Sequence, residues 1–133
     1  MLSDAFSAAV QARDPEALSD ALAEDVSFRS PVVFRPYQGR SLVSTILTEG
    51  AMKVFEDFRY TDRLEGDGSA ALVFEARVGE REVQGVDLLR FDGDGRVSEL
   101  VVMVRPMSAL NALAAAMGER FEQLGIAPAR SGG

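Results

Sequence analysis

The chain contains no cysteine, no histidine and no tryptophan. Without cysteine there are no disulfides and no thiol nucleophile. Without histidine there is no imidazole general base and no usual ligand for zinc or haem. Basic residues are also few, 14 Lys and Arg against 21 Asp and Glu, for a net charge of −7. That balance opposes binding to nucleic-acid phosphates or anionic membrane surfaces, so neither is expected as a partner. No apolar run approaches the ~18 residues of a membrane span. The first residues lack the basic-then-apolar order of a secretory signal. A cytoplasmic protein is the expectation.

What is present is a chain of 133 residues, nearly half of them hydrophobic. By length this is one domain, able to bury a core without a metal or a disulfide. The boundaries read as a domain over 1–125 and a flexible tail over 126–133. No cofactor fingerprint appears. The Gly-rich run Asp92–Gly95 is followed by strand-like sequence, not by a phosphate-binding helix, and it lacks calcium-loop spacing. It reads as a hairpin turn. No metal site is expected.

The most informative stretch runs from Val83 to Arg105. Two alternating apolar segments flank the Asp92–Gly95 turn, and one carboxylate, Asp87, stands inside the alternation. A charge at a core position is costly unless it is paired or neutralised. Upstream, Val78-Gly79-Glu80-Arg81 fits a two-residue hairpin with Gly leading, of type II′. That turn sets Arg77 opposite Glu82 and Leu72 opposite Asp87. The following turn, closing Phe91 on Arg96, sets Asp87 opposite Leu100. One sheet face then collects Leu72, Phe74, Val83, Asp87, Leu89, Leu100, Val102 and Val104. The other collects Val73, Val86, Leu88, Val101 and Met103. Two apolar faces imply a cover on each, and a second subunit over the outer face, giving a homodimer, is the expectation.

Elsewhere Ser3 is positioned to cap a first helix and Asp14-Pro15 to open a second. Val26–Ser30 alternates as a short strand before Pro31. The PVVFRPYQG segment reads as an ordered loop. Ser41–Phe55 has helical spacing, with Leu42 and Ile46 inward and Gly50 weakening it. Phe58–Leu64 reads as a strand with Phe58, Tyr60, Asp62 and Leu64 on one face. A final helix begins after Pro106, with an apolar stripe through Leu113, Met117 and Phe121.

The segments AEDVSFRSPVVFRPYQGR at 23–40 and VDLLRFDGDGRVSEL at 86–100 resemble the nuclear-transport-factor-2-like superfamily. The nearest-looking branch holds the SnoaL-like polyketide cyclases and ketosteroid isomerase. The resemblance covers roughly residues 3 to 105. It implies an α+β fold, a cone-shaped, curved, mixed but mainly antiparallel sheet wrapped around N-terminal helices, here with an extra C-terminal helix. It also implies an apolar cavity. In the isomerase a short-strand Asp moves a proton, while a first-helix Tyr and a neutral buried sheet Asp hydrogen-bond the developing oxyanion. Here the Tyr position falls on Phe6 and the base position on Ser30. The sheet position is Asp87.

Two readings of Asp87 stand side by side. It is a proton donor or shuttle facing a bound carbonyl or enol, or a buried acid paired with Arg29, Arg105 or a tyrosine. The cavity-lining candidates are Phe6, Phe28, Ser30, Phe34, Tyr37, Met52, Phe55, Tyr60, Phe74, Leu89, Leu100 and Val102. Arg29 and Arg35 are candidates for holding a ligand carboxylate near the mouth. The function expected is binding of a small apolar molecule, with isomerase- or cyclase-type chemistry that needs no cofactor. A non-catalytic binding protein or a dimerisation module are the alternatives.

Overall fold

The structure is a computed structural model and describes residues 1–126. The tail expected to be flexible lies, from 127 onward, outside the described residues. The chain opens with helices α1 (Asp4–Ala12) and α2 (Pro15–Ala21). Strand β1 (Leu22–Arg29) runs directly out of α2, and a two-residue strand β2 (Tyr37–Gln38) folds back on it. Helix α3 follows as Arg40–Thr45 and Met52–Val54 with a π-helical stretch, Ile46–Ala51, between them. Three antiparallel hairpin-linked strands and a fourth come next: β3 (Glu56–Gly66), β4 (Ser69–Val78), β5 (Arg81–Phe91) and β6 (Val97–Arg105). Helix α4 (Met107–Leu124) ends at Gly125, which adopts the left-handed conformation of a C-terminal cap.

The six strands form one curved sheet in the order β2-β1-β6-β5-β4-β3. All neighbours are antiparallel except β1 and β6, which run parallel. The α+β plan is therefore the expected one. Its inner face buries Leu72, Phe74, Val83, Leu89 and Leu100 beneath the helices. Leu18, Val26, Val43 and Ile46 complete that core from the helical side and β1.

The β4–β5 register agrees with the hairpin reading, with Val78 opposite Arg81 and Leu72 opposite Asp87. Gly79 supplies the positive φ that the turn demands. Arg77 does lie opposite Glu82, but its guanidinium bonds Asp57 on β3 instead, at 2.7 and 2.9 Å. The next hairpin departs from expectation. Asp87 faces Val102, not Leu100, because a bulge at Arg90/Phe91 and a longer loop displace the pairing by two residues. An even displacement keeps every side chain on its face, so the inner and outer sets are unchanged.

An odd displacement occurs on β3 and does invert faces. A bulge falls between Tyr60 and Asp62. Phe58 and Tyr60 turn inward as expected. Beyond the bulge Arg63 takes the inner position, and Leu64 is turned outward and 63% exposed. The inserted residue adds one step to a period of two. Two helical details also differ. Ser3 does not cap α1; its hydroxyl donates to Glu65 at 3.0 Å. Val43 occupies the inward place on α3 expected for Leu42. Asp14 caps α2 as its sequence implies, accepting from the Ala17 amide at 3.1 Å.

Candidate functional site

Between the inner sheet face and the helices lies a recess of about 170 Å³. Its walls come from parts of the chain far apart in sequence. α1 contributes Phe6 and Val10, and β1 contributes Phe28. The π stretch of α3 contributes Ile46, Leu47 and Ala51. The sheet contributes Phe58, Phe74, Asp87, Leu100 and Val102. α4 closes it with Leu113, Met117 and Phe121.

Two glycines shape this space. Gly50 brings α3 against α4: a Cβ there would stand 2.7 Å from the Met117 methyl. Gly85 lets the Phe74 ring lie across β5, since a Cβ there would stand 2.3 Å from Phe74 Cζ. Phe74 in turn stacks on Phe58 with centroids 4.9 Å apart and meets the edge of Phe55 at 5.5 Å. The aromatic floor thus rests on the absence of a side chain at Gly85.

Asp87 is the only carboxylate on these walls among the described residues. Its Oδ2 accepts the Tyr60 hydroxyl proton at 2.6 Å. Its other oxygen takes no protein hydrogen bond among the described residues, and no side-chain polar atom there is both fully enclosed and unpartnered. The free oxygen therefore borders the recess. Burial pushes the Asp87 carboxyl up to about 7, while the Tyr60 hydrogen bond pulls it the other way. Burial and the adjacent Asp87 together hold the Tyr60 hydroxyl well above its ordinary range. The pair is thus a protonated phenol against a carboxyl that is half neutral near pH 7. Of the partners open to Asp87, the structure selects a tyrosine. Arg29 lies 3.9 Å from Glu99 and Arg105 bonds Gln84.

Among the residues expected to line the cavity, Phe6, Phe28, Ser30, Tyr37, Met52, Phe55, Phe74, Leu100 and Val102 border the recess. Three do not. Phe34 is 78% exposed. The Ser30 hydroxyl oxygen accepts from the Val32 and Val33 amides at 3.2 Å each, folding Pro31–Val33 over the recess and leaving Phe34 beyond it. Tyr60 stands behind Asp87 and donates its hydroxyl to it. Leu89 is fully enclosed in the main core, two residues along β5 from Asp87. Ser30 itself is engaged with backbone amides, which suits a loop-holding role. Arg29 and Arg35 do not border the recess, whereas Arg13 does. Arg13 carried no signal in the sequence, since only its left-handed backbone after α1 (φ +52°) carries it there.

Among the described residues no group of acids is placed to hold a metal ion, and no helix is long and apolar enough to cross a membrane.

The SnoaL-like domain family matches residues 4–100, and the chain belongs to that family. Solved structures agree. A steroid delta-isomerase from Pseudomonas aeruginosa is 45% identical, covering 90% of this chain and 88% of its own, with a TM-score of 0.84. A cystatin-like-fold protein from Silicibacter pomeroyi is 30% identical over 91% of this chain and 85% of its own, with a TM-score of 0.87. An NTF2-like protein from Mesorhizobium loti, 22% identical over 79% and 88% of the two chains with a TM-score of 0.70, shares the fold. No functionally curated protein matches significantly by sequence.

Proposed function

We propose that this protein binds a small cyclic molecule in the recess and moves a proton at its carbonyl or enol oxygen, using Asp87 and no cofactor. The observation that carries this reading is a single carboxyl, held by Tyr60, with one free oxygen on an apolar wall. A carboxyl that titrates near 7 is populated in both forms at neutral pH, as general acid–base work requires. In its neutral form Asp87 donates to a ligand oxygen and stabilises negative charge developing there. Tyr60 fixes the carboxyl's orientation and its ionised form.

The ligand is about one ring in size. Small-molecule sites usually span roughly 300–1,000 Å³, and the recess is about 170 Å³. An apolar cavity of about 150 Å³ accommodates benzene. The recess is open on one side, and a four-ring steroid would leave part of its body outside it. The positions corresponding to the isomerase's tyrosine and base are Phe6 and Ser30, so a second carboxylate for transfer between two carbons is missing among the described lining residues. We therefore favour enolisation of a small ketone over steroid isomerisation, despite the relative of that name. Neutral Asp87 donates to the carbonyl oxygen while a solvent water takes the α-carbon proton.

The test uses cyclohexanone and phenol. Wild type should accelerate hydrogen–deuterium exchange at the cyclohexanone α-carbons, followed by proton NMR. Asp87→Asn should abolish the acceleration, and Tyr60→Phe should shift its pH profile upward, because the hydrogen bond that lowers the Asp87 pKa is gone. Binding of phenol without exchange would support the non-catalytic binder instead. Binding of neither would remove both readings.

We further propose that a second copy covers the outer sheet face. Val73, Val86, Leu88 and Val101 are only half-buried there, and Met103 is 55% exposed.

A further inference from the structure

We propose that Arg13 is an anion-binding residue of this recess and that the natural ligand is a small apolar monocarboxylate, its apolar body inside and its carboxylate at the rim. This rests on reading the recess as a ligand cavity. Arg13 is the only cation bordering it among the described residues, and it stands on the exposed side with Val32 and Gly118. The guanidinium is oriented by one bond, from Nη2 to the Phe55 carbonyl at 2.9 Å. That bond ties the head of Arg13 to the end of α3, whose Phe55 ring is itself a wall of the recess.

The remaining N–H groups of Arg13 have no protein partner among the described residues, and no carboxylate lies within 4.0 Å of them. Some other arginines of the fold are engaged by acids, as Arg63 is by Asp4 and Arg77 by Asp57, while others such as Arg96 and Arg105 bond only neutral groups. Arg13 differs from these in bordering the recess. One anchored N–H with the others open leaves a planar fork available, and that fork matches a carboxylate in two parallel hydrogen bonds. Placement at the end of α1 is by itself explained by the helix dipole, which favours a cation there. The dipole does not account for the bond to Phe55.

Asp87 and Arg13 also set the ligand's direction. Asp87 faces the recess from the sheet, so an ionised carboxyl beside it meets a like charge. At Arg13 it meets an opposite one. The apolar walls between them receive the ring or chain. The excess of acids over bases in the whole chain, 21 against 14, disfavours a polyanion, and one negative charge suffices for one guanidinium.

The test compares 3-phenylpropionate with its neutral amide by titration calorimetry at low salt. Wild type should bind the acid about fivefold tighter than the amide, the scale of one rim-exposed ion pair. Arg13→Gln should erase that preference, weakening the acid more than the amide, whose carbonyl also accepts from the guanidinium. Arg13→Lys, which retains charge without the fork, should keep part of it. Equal binding of acid and amide by wild type, or a preference unaltered in Arg13→Gln, would overturn the assignment and leave the cavity reading standing. Failure of both compounds to bind wild type would remove the cavity reading and this inference with it.

Discussion

Replacing Asp87 by Asn should change how stability depends on pH, in a direction opposite to that of most acids. The folded-state carboxyl sits near 7 against 3.8 for the free group, because burial penalises its charge. Between those values the folded chain holds a proton that the unfolded chain has released. The slope of unfolding free energy with pH is therefore negative, so stability is greatest at the acid end and falls until about pH 7. Each pKa unit is worth about 1.4 kcal/mol. From pH 5 to 8 the wild type should lose about 3 kcal/mol through this group. The amide cannot ionise, and its carbonyl oxygen can still accept from Tyr60 at the 2.6 Å position. The variant should match wild type within about 1 kcal/mol at pH 5 and exceed it by about 2–3 kcal/mol at pH 8. Urea denaturation at fixed protein concentration reads this as a midpoint difference growing by roughly 1–2 M across the range. Subtraction isolates Asp87 from exposed acids such as Asp4 and Glu49. Their pKa values are lowered by ion pairs, and their contribution is lost only as pH falls through those lowered values. A difference that stays flat from pH 5 to 8 would refute the account of Asp87 as a desolvated acid.

Two further outcomes follow from packing. Gly85→Ala forces a Cβ to 2.3 Å from the Phe74 ring and 2.7 Å from the Met103 carbonyl oxygen, a backbone atom of β6 that cannot step aside. It should cost about 1–3 kcal/mol in a thermal melt. Gly50→Ala meets only the flexible Met117 tip and should stay within about 1 kcal/mol; equal losses at both sites would contradict the view of Phe74 as a rigid floor. Val86→Lys with Val101→Glu places charges on the outer face, and sedimentation should show half the wild-type mass. A wild type that is already monomeric would dismiss the proposed pairing.

The relation between sequence and structure is clearest along β4, β5 and β6. Alternation with period two, together with a Gly-led turn, determined which face Asp87 occupies and what lies opposite it on β4. That information is local: a two-residue hairpin fixes its own register. Asp14-Pro15 was legible for the same reason, as capping is settled within one helical turn. The lack of histidine and cysteine confined the chemistry to carboxyls, hydroxyls and arginines before any fold was considered. The family, too, could be read from two short segments.

The contents of the site were decided by long-range geometry. The bulge after Tyr60 inverts the rest of β3, putting Arg63 inward and Leu64 outward, and no local alternation announces an inserted residue. The Tyr60–Asp87 bond joins two non-adjacent strands, β3 and β5, across β4 and depends on that register. Phe34 reads as a wall residue by composition, yet the loop held by Ser30 leaves it in solvent. Arg13 reads as an ordinary surface cation, yet a single left-handed residue and the carbonyl of Phe55 bring it to the rim. Periodicity along the chain therefore determined the faces of the sheet and the presence of one buried acid. Tertiary structure alone decided that acid's partner, the size of the space beside it and the charge at its opening, because each depends on residues brought together from distant parts of the chain.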